Sequence, residues 1–342
     1  MNRQSSILPN LFLLLLLQLC CAATFAQMPE LSPLPQTGSL SQPSDPSKFI
    51  FVIAGDNRPA HSSCPQPPIP GKIFYDVHQK NPATAFVLWT GDTISGKNPK
   101  NPTLIQYQYK EFLRIAATAK VPVFNAPGNH EMDDANEVPS SVMKDLYRKY
   151  MAGTYGAFNY GNSRFIALDS ENEPPVEKLS KQLSTAEGVA KSQPPGNITQ
   201  KQLKLLKNDL EANQDKAHVI IFMHHPVESY GANSGLNALS VKQLKKIFAG
   251  YNNVSYVVSG HEHMYFNPQG DQKKLTDPPS RKDPLQPPYY LISGGGGAPL
   301  KQGTPGSFFH YLIFKVDGQE VTPTLIKVDW GGTPVCTKNN SR

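Results

Sequence analysis

Five short strings hold most of the side chains in this chain that could ligate a metal. They are Gly55-Asp56-Asn57-Arg58, Gly91-Asp92, Gly128-Asn129-His130-Glu131, His224-His225-Pro226 and Gly260-His261-Glu262-His263, and they contain five of the nine histidines. Carboxylate and amide oxygens mixed with neutral imidazoles suit zinc, manganese or iron(II), and the chain lacks the paired thiolates of a structural zinc site. Two such cations about 3.5 to 4 Å apart can clamp the attacking and leaving oxygens of a phosphate ester and lower the pKa of a bound water to about 7. Hydrolysis near neutral pH is the chemistry such a set could perform. A lone Asp after a strand is more often a turn or helix cap, and one His-x-His arises readily by chance. The weight lies in five such strings sharing one kind of position.

That position is the end of a strand-like run. Phe49 to Ala54, Ala85 to Trp89, Val121 to Ala126, Val219 to Met223 and Val254 to Val258 are rich in β-branched, aliphatic or aromatic residues, and each stops where a string begins. Runs of this kind separated by helices are expected to lie side by side in one sheet, with ligands gathered at one rim. Helices are predicted over Leu104 to Ala119, Thr199 to Asn213 and Ser240 to Ala249; the last two open on capping-box patterns, Thr199 with Gln202 and Ser240 with Gln243, and Gly250 supplies a stop. Tyr311 to Val316 and Val321 to Val328, around Asp317-Gly318, read as a hairpin. Two long polar stretches, Glu171 to Asn197 and Phe266 to Pro288, read either as a substrate rim, with Lys273, Lys274, Arg281 and Lys282 favouring anions, or as plain surface insertions. The Gly294 to Gly297 run has no Gly-Lys-Ser/Thr after it, so it reads as close backbone packing beside the site and not as a nucleotide loop.

In order and spacing the five strings resemble those of the calcineurin-like metallophosphoesterases, whose pattern is Asp-x-His, Gly-Asp, Gly-Asn-His-Asp/Glu, His and Gly-His-x-His. The resemblance covers most of the chain beyond residue 48, and Asn159 to Ser170 and Tyr289 to Pro299 look like segments flanking the site in purple-acid-phosphatase-like members. It implies a four-layer αββα sandwich, the α/β metallo-dependent phosphatase fold, and one or two divalent ions (Mn, Zn or Fe). By the same resemblance Asp92 would bridge two metals, Asn129, His224 and His261 would complete one site, and Asp56 with His263 would serve the other. His130 would protonate the leaving oxygen or stabilise its charge, with Glu131 holding its ring, while a hydroxide activated near Asp92 attacks phosphorus. His225 is expected to pack beside the site and not to ligate. The implied activity is that of a metal-dependent phosphoric ester hydrolase, favouring phosphomonoesters, with phosphodiester or nucleotide hydrolysis as the alternative.

The chain departs from the pattern at its first string. Arg58 stands where the family has the His of Asp-x-His, and a guanidinium cannot coordinate a cation. Two outcomes stay open: Arg58 enters the site and grips a phosphate oxygen, or it turns away to a structural ion pair. Ser95 occupies the place of the purple acid phosphatase tyrosine, so an iron(III) tyrosinate is not expected, and His61 is a weak candidate to replace the missing ligand. A non-catalytic module with one metal competes as a reading, but His130 and the complete Asn129, His224, His261 set weigh against it.

Residues 1–26 read as a signal peptide: Asn2-Arg3, an apolar run dominated by Leu11 to Leu17, then Thr24-Phe25-Ala26. This implies a secreted or periplasmic protein with no transmembrane segment after cleavage; a lipoprotein reading through Cys20 or Cys21 is weaker. Residues 27–48, rich in Pro and Ser, are expected to be a flexible linker, 49–330 the catalytic domain and 331–342 a tail. Cys64 and Cys336, left after cleavage, could be bridged. The formal charge of +6 is spread along the chain and not gathered in a stripe, which excludes a dedicated nucleic-acid binder and suits a small phosphorylated substrate. The sequence sets no oligomeric state.

Overall fold

The computed structural model describes residues 26–96, 100–132, 141–171, 196–232, 234–270, 288–331 and 336. Alternation along the strands builds the layers. In β1 (Lys48–Ala54), Phe49, Phe51 and Ile53 face one apolar layer while Val52 and Ala54 face another. β2 (Thr84–Trp89) repeats the split, with Phe86 and Leu88 on one side and Val87 and Trp89 on the other. Strands apolar on both faces must be covered on both. β1 and β2 run parallel with β3 (Val123–Asn125), and β1 also pairs with the closing hairpin of β10 (His310–Asp317) and β11 (Glu320–Lys327), giving the order β11-β10-β1-β2-β3.

A second sheet runs β4-β5-β6-β7-β9-β8, from β4 (Gly156–Tyr160), β5 (Ser163–Ala167), β6 (His218–Met223), β7 (Val254–Ser259), β8 (Tyr265–Phe266) and β9 (Tyr289–Ser293). The strands carrying the five strings are therefore divided, β1 to β3 in one sheet and β6 and β7 in the other, and do not share one sheet as the sequence suggests. The alternation fixes how many faces of a strand are buried but not which strands are neighbours. Between the sheets lies an aromatic layer in which Phe86 meets Phe165 edge-on at 4.9 Å and Phe124 stacks on Phe158 at 3.9 Å. Helices α1 (Ile69–Gln79), α2 (Pro102–Ala116) and α4 (Ser141–Met151) cover the first sheet, and α5 (Gln200–Ala212) and α6 (Ala238–Phe248) cover the second. A short α3 (Asn129–Met132) sits at the site. The four-layer αββα arrangement is thus present.

Thr199 caps α5, its hydroxyl accepting from Gln202 N–H at 3.2 Å, but the Gln202 side chain bonds the Asp169 backbone instead of closing a box. α6 starts two residues before the expected Ser240: Asn237 is its cap, and the Ser240 hydroxyl accepts from Ile198 N–H. Residues 172–195 and 271–287, most of the two long polar stretches, lie outside the described residues, as do Lys273, Lys274, Arg281, Lys282 and residues 1–25. Among the described residues no helix is long and apolar enough to cross a membrane.

The expected flexible linker is a packed strap. Met28, Leu31 and Leu34 are buried to 5% exposure or less. Pro29 and Leu31 pair with Ala157 on edge strand β4, and Leu34 and Thr37 bond Val123 on edge strand β3. Its start is tied by Met28 N–H donating to Asp209 at 3.1 Å, beside the buried Arg164–Asp209 pair. Proline suits this because edge pairing needs only some of its N–H groups. Cys64 and Cys336 form a disulfide, with Cα atoms 5.8 Å apart.

His310 on β10 is fully buried, and burial lowers its pKa to about 4 from an ordinary 6.5. The unfolded imidazole takes up a proton near pH 6.5 that the fold excludes, so folding stability should fall as pH drops from 6.5 through 4. The loss should reach roughly 3 kcal/mol. Urea melts of wild type and His310→Gln at pH 7 and 5 check this: the variant should lose the smaller share of its stability.

Candidate metal centre

Every string sits where a strand ends, and the two sheets bring those ends to one rim. Asp56 N–H donates to Gly91 O at 2.9 Å and Asn57 N–H to Asp92 O at 3.1 Å, joining the loops after β1 and β2. Across the sheets, His261 N–H donates to the Asp56 carboxylate at 2.9 Å, and the His224 ring Nδ1 lies 2.8 Å from Thr90 O. Glycine permits this approach: a Cβ on Gly260 would lie 2.1 Å from Asp56 Oδ2, and one on Gly128 2.3 Å from Asp92 Oδ1. Four of the six ligand candidates, Asp56, Asp92, His261 and His263, have positive φ, between 41° and 72°. Such backbone costs about 1 to 3 kcal/mol each for residues with a side chain, and is retained where surrounding structure over-determines it.

His224 Nε2 lies 3.0 Å from Asn129 Oδ1, 3.1 Å from His261 Nδ1 and 3.4 Å from Asp92 Oδ1. With Nδ1 donating to Thr90 O, the neutral ring presents a bare lone pair at Nε2. Burial lowers the pKa of His224, and burial with the neighbouring His225 and His224 lowers that of His261. Two neutral imidazole nitrogens, that of His224 fully buried and that of His261 on a partly buried ring, thus converge with a carboxylate and an amide oxygen on one point, a donor set that suits a divalent cation. Beside it, donor atoms of Asp56, Asp92 and His263 lie within 4.8 Å of one another. His263 Nδ1 donates to Pro299 O at 2.8 Å, leaving Nε2 toward Asp56 at 3.6 Å, and burial with the Arg58 charge lowers its pKa to about 4. The residues present fit divalent ions.

Asp92 is the hub. Burial alone would raise its pKa, but His224, His130 and Arg58 hold it well below the usual carboxylate range, while burial and the Asp92 charge raise that of Asp56. Arg58 points into the cleft, its Nε 3.5 Å from Asp92 Oδ2, so it does not turn away. That buried Nε has no hydrogen-bond acceptor. His61 lies in a turn closed by Cys64 N–H and does not line the cleft.

Glu131 does something other than expected. Its carboxylate accepts from the N–H groups of Asp92, Thr93 and Gly128 and from the Thr93 hydroxyl, so it braces the loop that presents Asp92. The His130 ring is held instead by Ser95 O, 2.6 Å from Nδ1, which turns Nε2 toward Asp92 at 3.9 Å. The sequence pairs Glu131 with its neighbour, but a short helix turns the two side chains to different faces. Burial and the Asp92 charge push Glu131 up to about 7.

Sequence reasoning missed three groups. Glu262, between the two ligand histidines, accepts from Tyr230 N–H at 2.9 Å, Gly231 N–H at 3.0 Å and the Ser234 hydroxyl, fixing the wall of the cleft. His225 does more than pack: its Nδ1 is 2.7 Å from Glu171 Oε1, and its ring lies 4.3 Å from that of His261. Lys301 lines the cleft beside Arg58 and His130. Glu262 carried a signal as an acid in Gly-His-Glu-His where the ligand pattern needs none, and His225 stood in the named string His224-His225-Pro226; Lys301 carried none.

Residues 70–265 match the family profile described as calcineurin-like phosphoesterase. The 3',5'-cyclic adenosine monophosphate phosphodiesterase CpdA of Haemophilus influenzae is 24% identical over 203 residues, which span 57% of this chain and 61% of that protein. Among solved structures, a dimetal phosphatase from Danio rerio superposes with a TM-score of 0.56 at 14% identity, over 82% of this chain and 99% of that one. Purple acid phosphatase PPD1 of yellow lupin (Lupinus luteus) gives 0.51 at 18% identity, over 87% and 56%. At such identities the two structures speak to the fold.

Proposed function

We propose, because this chain belongs to the calcineurin-like phosphoesterases, that it is a metal-dependent phosphoesterase acting on small phosphomonoesters in an oxidising compartment, secreted or periplasmic. One observation carries the hydrolytic reading: the convergence of Asp92, Asn129, His224 and His261 on one point, with His130 beside it. Preference for the monoester dianion is supported by Arg58 and Lys301 on the wall of a cleft of about 370 Å³, two fixed charges added to those of the ions. The compartment is supported by the Cys64–Cys336 bridge and the apolar leader.

Asp92, Asn129, His224 and His261 would hold one divalent ion, and Asp56, Asp92 and His263 a second. When bound, the ions supply Lewis acidity and a nucleophile near neutral pH. Arg58, beside Asp92 on the cleft wall, orients the phosphoryl group. His130, its Nδ1 held by Ser95 O, presents Nε2 to the departing oxygen and delivers a proton or a hydrogen bond there. Glu131 keeps the Asp92 loop rigid. His130→Ala should retain metal while lowering kcat by about a hundredfold or more; metal content with phosphate release on the same sample checks both halves. Arg58→His should tighten the second ion and raise the KM for a phosphomonoester by about tenfold, read by metal titration and initial rates. Unchanged values for both would remove Arg58 from substrate binding.

Phosphodiester hydrolysis is the second reading, favoured by the similarity to the cyclic-nucleotide phosphodiesterase of Haemophilus influenzae. A phosphate-release screen over mono- and diesters, with manganese, zinc or iron restored to the stripped protein, separates the two.

A further inference from the structure

A second cavity abuts the phosphate cleft, and the hydrolytic reading leaves it unused. It holds about 510 Å³, within the size range of small-molecule sites. Pro59, Ala60, Pro67, Phe309, Trp330 and the Cys64–Cys336 bridge form much of its wall. Arg58, Pro299 and Leu300 line both cavities, so a ligand anchored at Arg58 can reach across that rim into the second. Apart from Arg58, no described residue lining it carries an ionisable side chain. Its polar side chains besides Arg58 are Gln302 at the exposed rim and Ser307, whose buried hydroxyl lacks a hydrogen-bond partner and can meet one polar atom of a ligand; the remaining wall is mostly proline, aromatic and aliphatic, against which an apolar group would shed its water.

The disulfide has a local role in this arrangement. Cys64 lies six residues after Arg58 and Cys336 six after Trp330, so the bridge fixes Cys336 against the loop after β1. Trp330 is held there by Lys72, whose ammonium lies 5.7 Å from the indole centroid and donates to Asp329 O. The wall is therefore built, and not left by loose packing.

We propose that this cavity is the leaving-group subsite, and that the substrate class is phosphomonoesters of bulky apolar alcohols, aromatic or alkyl. The proposal rests on the phosphoesterase reading and extends it from the phosphate to the other half of the ester. Phosphate sits between Arg58 and the ligand histidines, and the alcohol's carbon skeleton crosses the Arg58–Leu300 rim. Polar alcohols such as glycerol bring no apolar skeleton to that wall and gain far less from it.

The test separates binding from turnover. Benzylphosphonate, whose carbon–phosphorus bond is not hydrolysed, is titrated into the manganese-loaded protein against methylphosphonate as the short control. Binding is read by calorimetry, and the emission of Trp330, which lines the cavity at 37% exposure, is read against Trp330→Phe, because the fully buried Trp89 bonds Asn57 beside Arg58 and also senses the phosphate cleft. Wild type should bind benzylphosphonate at least about tenfold more tightly than methylphosphonate. Ala60→Phe, which fills the cavity, should erase that tenfold while methylphosphonate binds as before. Gln302→Phe, at an exposed rim position, should do the same and decides the matter if the first variant folds poorly. In turnover, both should raise the KM for benzyl phosphate about tenfold with kcat/KM for glycerol 2-phosphate unchanged. Benzylphosphonate binding no tighter than methylphosphonate in wild type overturns the subsite. Tight, Ala60-dependent binding without turnover of any ester upholds the subsite and removes the hydrolytic reading instead.

Discussion

Asp92→Asn is expected to abolish retention of divalent ions and to lower kcat/KM for phosphate esters by at least about a thousandfold. Both carboxylate oxygens are committed: Oδ1 accepts from His130 N–H at 3.0 Å and lies 3.4 Å from His224 Nε2, while Oδ2 lies 3.5 Å from Arg58 Nε. Asparagine keeps the shape but removes the charge that draws two cation positions and one guanidinium together. It also places an amide N–H against groups that need an acceptor, leaving Arg58 buried without a counter-ion. Metal content after gel filtration, phosphate release and circular dichroism on one preparation are the measurements. A folded variant that keeps its metal and a tenth of its turnover would refute the assignment of Asp92 as the hub.

The second large effect concerns stability. Leu31→Ala with Leu34→Ala should destabilise the fold by roughly 4 to 10 kcal/mol, since each removes a fully buried side chain at about 2 to 5 kcal/mol. Both lie at 2% exposure, Leu31 against the aromatic layer between the sheets and Leu34 against the helix side of the first sheet. Their backbone bonds to Ala157 and Val123 cover edge strands β4 and β3, so weakening the strap also bares two edges. Denaturant melts give the loss, and light scattering at elevated temperature should show earlier association. A loss under about 1 kcal/mol would mean that the segment is the passive lead-in its composition suggests.

The strap shows where the sequence misleads. Residues 27–48 are rich in Pro and Ser and have no periodicity, because an extended strand buried by single anchors, Met28, Leu31 and Leu34, has neither the helical nor the alternating pattern. The strands of the core were legible for the opposite reason. Phe49 to Ala54 and Val219 to Met223 are buried on both faces, so almost every residue is apolar, and their ends were placed within a residue. Their partition between two sheets was not legible from pattern, since each strand looks the same whichever neighbour it takes; only the resemblance implied it.

The site followed the same division. The ligand candidates Asp56, Asp92, Asn129, His224, His261 and His263 were readable because each follows a strand, and the structure brings all six together. Partners set by side-chain direction were not: Glu131 braces the Asp92 loop and not the His130 ring, and the Ser95 carbonyl that holds the ring has no signature in residue type. Glu262 and the His225–Glu171 pair were hidden because their partners lie far along the chain.

The left-handed turns at Asp56, Asp92, His261 and His263 set the active residues against the comfort of their own backbone. A laboratory search that rewarded heat tolerance alone would drift toward glycine or asparagine at these four places, gaining robustness as it lost its catalyst. Tolerance and turnover would have to be selected together.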